Sequence, residues 1–265
     1  MPNPKVSIID CLSGKYMVYS TNDALGKMLL SDGVHELPVQ QVTEFILKTS
    51  NYETVLDIGA NIGSYSIPLA MKFTNKKFHC FELQRNIYYQ LCGNIFLNSL
   101  DNIVPHNIGV SSIEGEISIP KIDYSQCWNI GGYSIDQVAL NTNRTDFPSD
   151  AIVGQELAKV TTMNNIGKFT NNIALIKLDV EGHELEAMKG ALELLHANGY
   201  PPIIFECWDF EWFAKSKSEL FEFFIKIGYS NISFDIGYSN FLAQSNSSIH
   251  NRYLIENNTI KIVSN

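Results

Sequence analysis

The sequence predicts a doubly wound α/β sheet, and three observations carry this prediction. From about Thr54 onward, short apolar runs alternate with segments of helical periodicity. The run that ends at Asp57 passes into a glycine-rich turn, which is the strand–loop–helix opening of a nucleotide-binding α/β domain. The run over 173–179 is apolar on both faces, as expected for a central parallel strand.

A β-rich extension is predicted before the sheet, in residues 1–50, packed on the core. Three short segments rich in β-formers and divided by polar turns indicate an antiparallel meander, at 6–10, 16–20 and 27–31.

A helix is predicted after the meander, from Leu37-Pro38 to about Lys48, since proline is tolerated in the first turn of a helix. We expect His35 and Glu36 to be solvated at the start of this helix. The alternative is that they face a bound cofactor, because a preceding segment often covers the ligand in this class of fold.

Residues 51–245 are predicted to form the main domain. Its predicted strands are 54–58, 77–82, 102–108, 116–119, 160–163, 173–179 and 201–206. Its predicted helices cover 64–73, 85–98, one stretch from Leu185 to Asn198, and one that begins at Ser216 or Ser218 and stops at Gly228. A closing hairpin is predicted from 229–235 and 240–244, and the tail 246–265 receives no secondary-structure prediction.

An insert at about 120–155 interrupts this domain. It is rich in glycine, asparagine, proline and serine, so it is predicted to be a long irregular loop, which is usually functional or disordered. Two of its aromatic residues, Trp128 and Tyr133, either stack on a substrate ring or hold the loop on the core.

The glycine-rich turn has the order Asp57-x-Gly59-x-Asn61-x-Gly63. A dinucleotide fingerprint has glycine in place of Asp57, where a pyrophosphate would meet a like charge. An acid there suits a ligand with a positive group, such as the amino group and sulfonium of S-adenosylmethionine. Gly59 and Gly63 are expected to leave room for a ligand against bare backbone, and the next helix directs its N–H groups at that ligand.

Acids end several of the predicted strands. Glu82 follows the second strand, where such domains place a carboxylate on the ribose hydroxyls. Asp57, Asp179 and Glu206 also end strands, and His183 follows four residues after Asp179. Because crowded like charges cost free energy, this edge of the sheet indicates a cationic ligand or a metal.

Composition limits the partners and the compartment. The chain of 265 residues is 45% hydrophobic, enough for a well-buried core, and its net charge of −9 without a basic patch argues against a nucleic-acid partner. No apolar run is long enough for a membrane span, and the N-terminus lacks the order of a secretory signal. The five cysteines are scattered, which is typical of a reducing compartment, so we expect a cytoplasmic protein. The oligomeric state is left open.

Three motifs together resemble the FkbM family of S-adenosylmethionine-dependent methyltransferases. They are Leu56-Asp57-Ile58-Gly59-Ala60-Asn61-Ile62-Gly63, then Phe81-Glu82, then Ile176-Lys177-Leu178-Asp179-Val180-Glu181-Gly182-His183-Glu184 with Lys189-Gly190-Ala191. The resemblance covers roughly 50–210 and implies a class I methyltransferase fold, Rossmann-like, with an antiparallel final strand. It also implies O-methylation, often of sugar hydroxyls or polyketide-type products. The cofactor site is then predicted at Asp57, Gly59, Ala60, Asn61, Gly63, Glu82, Leu83, Asn107 and Asp179.

Methyl transfer to a hydroxyl is an in-line displacement that benefits from a base near the acceptor. The catalytic candidates are Asp179, Glu181, His183 and Glu206, with His183 favoured because imidazole titrates near neutral pH. The alternative for His183 is a capping contact at the helix start. No metal is predicted, although Asp179 with Glu206 is a less favoured alternative as a Mg²⁺ site.

The sequence therefore favours an S-adenosylmethionine-dependent O-methyltransferase acting on a sugar, a glycan or a glycosylated small molecule. Two alternatives remain open. One is an NAD-dependent oxidoreductase, and the other is a non-catalytic domain that binds an adenosine ligand or a partner.

Overall fold

The structure is a computed structural model that describes residues 5–19, 23–125, 129–136, 139, 142, 151–168, 170–256 and 259–263. In chain order its elements are β1 (Val6–Cys11), β2 (Gly14–Tyr19), α1 (Ala24–Asp32), α2 (Leu37–Thr49), β3 (Thr54–Ile58), α3 (Ser66–Lys72), β4 (Lys77–Phe81), α4 (Arg85–Leu97), β5 (Ile103–His106), β6 (Gly109–Val110), β7 (Gly115–Ile122), β8 (Ile152–Thr161), α5 (Met163–Ile166), β9 (Ile173–Leu178), α6 (Glu184–Lys189), α7 (Leu192–Ala197), β10 (Ile203–Glu206), a 3₁₀ turn (Glu211–Phe213), α8 (Ala214–Lys226), β11 (Asn231–Ile232), β12 (Asn240–Gln244), β13 (Arg252–Glu256) and β14 (Thr259–Val263).

A seven-stranded sheet has the strand order β11-β12-β10-β9-β3-β4-β5. The five strands from β10 to β5 run parallel, whereas β12 is antiparallel to β10 and β11 is antiparallel to β12. The chain moves outward from β3 through β4 to β5 and then returns to start the other half at β9. The order reverses between β3 and β9, which is where ligands bind in sheets of this kind. The predicted doubly wound sheet with an antiparallel closing strand is confirmed.

Two hydrophobic cores lie on the two faces of this sheet. β3 and β9 are buried along their whole length, so their side chains alternate between the two cores. Val55 belongs to one core together with apolar residues of α2, α3 and α4, and Leu56 belongs to the other with residues of α6, α7 and α8. The helices are therefore distributed over both faces, and the carboxyl edge of the sheet is left for a ligand.

The third predicted strand of the N-terminal meander is wrong, because residues 27–31 lie in α1. Local capping explains the helix. The Asp23 carboxylate accepts a hydrogen bond from the Gly26 N–H at 3.1 Å, and Gly33 closes the helix in the left-handed conformation at φ 74°. β1 and β2 form an antiparallel hairpin as predicted.

The single helix predicted after the central strand is also wrong, because α6 and α7 are separate. The break falls at Gly190, where a Cβ atom would lie 2.6 Å from the Ser111 carbonyl oxygen. This close backbone approach, together with the Asn164 N–H donating to the Gly190 carbonyl at 2.8 Å, turns the chain between the two helices.

The predicted start of α8 at Ser216 or Ser218 is wrong as well. The helix begins at Ala214, directly after a 3₁₀ turn, and the Ser218 hydroxyl donates to Glu222 instead of capping the helix.

The predicted irregular insert is shorter in the structure, because strands extend into both of its ends. β7 continues to Ile122, and β8 begins at Ile152 and pairs with β7 in an antiparallel ribbon, with β6 alongside. Trp128 lies outside the described residues. Tyr133 is buried, packs in one of the two cores, and also lines a cavity at the carboxyl edge of the sheet. In the tail, β13 and β14 form a hairpin that the sequence did not predict.

Candidate active site

A cavity of about 490 Å³ lies at the carboxyl edge of the sheet. Ten of the predicted site residues line it: Asp57, Gly59, Ala60, Asn61, Glu82, Leu83, Asp179, Glu181, His183 and Glu206. Two others, Gly63 and Asn107, do not line it. The cavity is therefore the place where the cofactor motif and the candidate catalytic residues meet.

Asp57 lies near the end of β3 and is almost completely buried. Its Oδ2 accepts a hydrogen bond from the Ser66 hydroxyl at 2.5 Å. Burial raises the pKa of Asp57 to about 6, although the Ser66 hydrogen bond and nearby Lys177 favour the ionised form. The structure thus holds a titratable acid at the bottom of the glycine-rich turn.

Glycine is required at two positions of the turn, for a different structural reason at each. Gly59 has φ 88°, and a Cβ atom there would lie 1.7 Å from the Asp179 carbonyl oxygen. Gly63 has φ 89°, and a Cβ atom there would meet the side chains of Ile67 and Leu91 in the core. The room that these glycines leave is therefore taken by the protein itself, at Gly59 by the backbone that follows β9.

Glu82 follows β4 and is buried, with its carboxylate held by backbone donors. Its Oε2 accepts from the Asn61 N–H at 3.0 Å, and its Oε1 accepts from the Gln84 N–H at 2.7 Å. Burial outweighs these hydrogen bonds and raises the pKa of Glu82 to about 7. Asn107 does not line the cavity, but its side-chain amide donates hydrogen bonds to the carbonyls of Glu82 and Leu83, at 2.9 and 3.1 Å, and so holds the backbone after β4.

Asp179 follows β9 and pairs with a lysine below it. Lys177 is only 1% exposed, and its Nζ lies 2.8 Å from Asp179 Oδ2. Burial disfavours the charged form of Lys177, but the carboxylates of Asp179 and Glu36 outweigh burial and keep the pKa of Lys177 above its ordinary value. Lys177 therefore stays protonated and fixes one oxygen of Asp179 at the edge of the cavity.

Three carboxylates converge next to this pair. Asp179, Glu181 and Glu206 each offer one oxygen atom, and these atoms all lie within 4.8 Å of one another. Burial, followed by the charges of Asp179 and Glu181, raises the pKa of Glu206 well above its ordinary value. The structure thus brings together the two residues of the less favoured metal alternative and adds Glu181 to them.

The family model described as the Methyltransferase FkbM domain matches residues 57–230, from the end of β3 to just beyond α8, and this range includes all three converging acids. The chain belongs to the FkbM methyltransferase family. The strand order given above is that of the class I methyltransferase fold, so the predicted family and the predicted fold class are both confirmed.

Individual known proteins are similar to this chain over a short stretch or at low sequence identity. The tRNA(Phe) (4-demethylwyosine(37)-C(7)) aminocarboxypropyltransferase of Methanocaldococcus jannaschii is 42% identical over 53 residues, which are 20% of this chain and 21% of the relative. The crystal structure of M. jannaschii TYW2 in complex with AdoMet is 13% identical with a TM-score of 0.38, over 92% of this chain and 85% of that one. An rRNA methylase from Streptococcus thermophilus is 12% identical with a TM-score of 0.43, over 79% and 97%.

In this FkbM methyltransferase, His183 lines the cavity at the start of α6. Its Nε2 lies 3.0 Å from the Ser111 hydroxyl, and burial lowers its pKa, so the imidazole is neutral at pH 7. The side chain makes no capping hydrogen bond to the helix, which removes the alternative considered for it. Glu184 caps the turn instead, since its Oε1 accepts from the N–H groups of Val180 and Gly182 at 3.0 and 3.3 Å.

The expectation that His35 and Glu36 are solvated is wrong. Both line the cavity of the FkbM domain, and Glu36 is only 6% exposed. The Asn240 amide donates to Glu36 Oε1 at 3.3 Å, and the Ser64 hydroxyl lies 3.4 Å from His35 Nδ1. Burial raises the pKa of Glu36 to about 7 and lowers that of His35 to about 4. The sequence around these residues carries no sign of this burial, since their partners lie far along the chain.

Three aromatic residues that the sequence did not single out also line the cavity. Trp208 follows β10, Phe210 comes two residues later, and Tyr238 belongs to the turn before β12. Phe210 is 46% exposed and Tyr238 is 50% exposed, so they border the cavity at its open side. The clustering of aromatic residues from Trp208 to Phe213 was a sequence signal that could have pointed to Trp208 and Phe210.

Helices across the described ranges are all too short or too polar to span a lipid bilayer.

Proposed function

We propose that this protein is an S-adenosylmethionine-dependent O-methyltransferase whose acceptor is a hydroxyl of a sugar, a glycan or a glycosylated small molecule. The observation that carries the proposal is a single cavity in which two groups of carboxylates meet. Asp57 and Glu82 lie beside the glycine-rich turn, and Asp179 and Glu206 lie at the ends of the next two strands of the sheet.

The first group of carboxylates fits the cofactor. S-adenosylmethionine supplies an activated methyl group and carries an ammonium and a sulfonium group, so it is favoured beside Asp57. Glu82 offers acceptor oxygens to the ribose hydroxyls. An NAD-dependent oxidoreductase is less well supported, because Asp57 would repel a pyrophosphate at the same turn.

The open side of the cavity fits a ring-shaped acceptor. Phe210 and Tyr238 are half-exposed there, and the buried Trp208 lines the same cavity. Ligand pockets of this kind combine aromatic walls with a few polar groups that fix orientation. A sugar ring has an apolar face for such contacts and hydroxyls for the neighbouring acids.

The charge of the cavity favours an acceptor without phosphate groups. Among the described residues that line the cavity, one is a lysine, Lys177, which is paired with Asp179, and six carry carboxyl groups. Together with the net charge of −9, this supports a small acceptor over a nucleic acid, which needs cationic contacts along its backbone. The RNA-directed names of the distant relatives make this choice one that must be tested.

His183 is the favoured base for the acceptor hydroxyl. The neutral imidazole can accept a proton, and the Ser111 hydroxyl next to Nε2 orients the ring. Glu181 and Glu206 are the next candidates, because they line the same cavity.

The test is a methyl-transfer assay with labelled S-adenosylmethionine against a panel of sugars, glycans, glycosylated small molecules and structured RNA, read by mass spectrometry. We expect a mass increase of one methyl group on a sugar-containing acceptor. Asp57→Asn is expected to abolish transfer, and exposed Asp32→Asn is the matched control that keeps it. Methylation of RNA alone, tighter binding of NAD than of S-adenosylmethionine, or no binding of any adenosine ligand would each overturn the proposal.

A further inference from the structure

The acids Asp179, Glu181 and Glu206, called the acid trio below, come from three places in the chain. Asp179 follows β9, Glu181 lies in the turn before α6, and Glu206 ends the neighbouring parallel strand β10. One oxygen atom of each lies within 4.8 Å of the other two. Ligands of a divalent cation lie about 2.0–2.6 Å from it, so two ligands on opposite sides are about 4–5 Å apart. The spacing of the trio therefore matches one coordination shell.

An oxygen of the trio has no donor. Oε2 of Glu206 is shielded from solvent and has no hydrogen-bond partner among the described residues. Glu206 lines the cavity, so this oxygen belongs to the acid that faces the other two members. A buried carboxylate oxygen without a donor costs free energy, which indicates that a ligand is missing from the trio.

Two described neighbours of the trio already have hydrogen-bond partners of their own. Lys177 is a cation beside the trio, and its Nζ donates a hydrogen bond to Oδ2 of Asp179. The other carboxylate oxygen of Asp179 is then the one that can bind a cation. Glu184 is buried close by, but its carboxylate already accepts two backbone N–H groups. A doubly charged cation at the trio would offset the repulsion between these crowded acids, of which Asp179 is paired with Lys177.

We propose that Asp179, Glu181 and Glu206 form a binding site for one hard divalent cation, of the Mg²⁺ or Mn²⁺ class. The trio lies in the cavity that Trp208, Phe210 and His183 also line, where we expect the acceptor to bind. The role of the cation rests on the proposed function: it binds and orients the acceptor hydroxyl. The remaining positions of its coordination shell are open to that hydroxyl and to water.

The first experiment measures binding of the cation alone. The full chain is treated with a chelator, dialysed, and titrated with Mn²⁺ by calorimetry and by electron paramagnetic resonance, without cofactor or acceptor. We expect one site, competed by Mg²⁺. Glu206→Gln and Asp179→Asn keep the shape of the side chain and remove a ligand charge, so each should weaken Mn²⁺ binding at least about 10-fold. Glu186→Gln is the matched control, because Glu186 is an acid on α6 that pairs with Lys189 outside the trio.

The outcomes separate this site from the proposed function. If the wild-type chain binds no Mn²⁺ at millimolar concentration, or if Glu206→Gln binds it as the wild type does, the site is overturned. If an amine-bearing sugar binds at the trio while the bound Mn²⁺ stays in place, the cation lies elsewhere and the site is overturned as well. Methyl transfer at full rate after chelation would overturn the cation while leaving the methyltransferase intact. Mn²⁺ binding to the trio without methyl transfer to any acceptor would uphold the site and overturn the proposed function.

Discussion

At the scale of single residues, Glu82 shows how burial and hydrogen bonding oppose each other in this cavity. Two backbone N–H groups favour its carboxylate, yet burial is the larger effect and raises its pKa to about 7. Asp57 has the same balance, with a pKa of about 6. Both acids therefore bind protons near neutral pH, and a ligand that needs the ionised forms has to compete with those protons.

We expect the affinity for S-adenosylmethionine to rise with pH between about 5 and 8. The ribose hydroxyls donate to an ionised Glu82, so below its pKa a proton must leave first, which costs up to about 10-fold in affinity for each pH unit. For folding the sign is opposite. A carboxyl with a raised pKa in the folded state contributes stability at low pH and loses it as pH rises through its folded pKa.

Calorimetric titrations of the cofactor at several pH values measure this dependence. Glu82→Gln should bind the cofactor more weakly at pH 8 and should flatten the part of the curve near pH 7. A wild-type affinity that does not change over this range would contradict the role of both acids.

The second prediction at this scale concerns Gly59. A Cβ atom there collides with the Asp179 carbonyl and the positive φ disfavours any other residue, so Gly59→Ala should lower the free energy of unfolding by about 3 kcal/mol or more. The loss is one of stability and is not selective for the cofactor. Denaturant unfolding tests this, with Gly154→Ala as the control, since a Cβ atom at Gly154 meets nothing within 4 Å. A stable Gly59→Ala protein that has lost only cofactor binding would contradict this account.

At the scale of elements, the sequence predicted what short-range periodicity determines. β3, β4, β9 and β10 were predicted because each is a short, mainly apolar run that ends at or next to an acid, and α2 because its proline and apolar spacing mark a helix. α1 was missed, since its apolar residues fit a strand equally well and the Asp23 cap outweighed them. The break between α6 and α7 was missed because it depends on the Ser111 carbonyl, far away in the chain.

The cap of α1 can be tested directly. Asp23→Ala removes the acceptor of the Gly26 N–H and should lower the free energy of unfolding by about 1 kcal/mol. Because Ala24, Leu25 and Met28 of this helix line the cavity, cofactor or acceptor binding should weaken as well. Asp32→Ala, at the exposed other end of the helix, is the control. Equal stability of the two variants in urea would show that the cap does not hold α1.

At the scale of the whole molecule, segments outside the family match contribute to the site. The match covers 57–230, but His35 and Glu36 come before it and Tyr238 and Asn240 come after it. Glu36 and Asn240 are 204 positions apart, and no local pattern predicts such a contact. The motifs and strand-end acids therefore predicted ten of the residues that line the cavity, whereas no motif predicted the part of the lining that comes from the two flanks.

The contact between the flanks is predicted to matter for stability. Asn240→Ala would leave the buried Glu36 carboxyl without its amide donor and should lower the free energy of unfolding by about 1–3 kcal/mol. Asn246→Ala removes an exposed asparagine of the same C-terminal part and should change it by less than about 0.5 kcal/mol. Thermal unfolding at matched pH compares the two, and a similar loss in both would contradict the importance of the contact.

The carboxylates around the cavity have a consequence for what happens after the reaction. Under the proposed function, the cofactor enters with one net positive charge and leaves as S-adenosylhomocysteine, whose sulfur is neutral. A cavity lined by acids attracts the first and not the second, so the product is released more readily than the substrate and turnover is less subject to inhibition by its own product. At pH 8 the ratio of the two dissociation constants should be largest at low ionic strength and should shrink as salt screens the acids. A ratio that is indifferent to salt would show that these charges do not act on the spent cofactor.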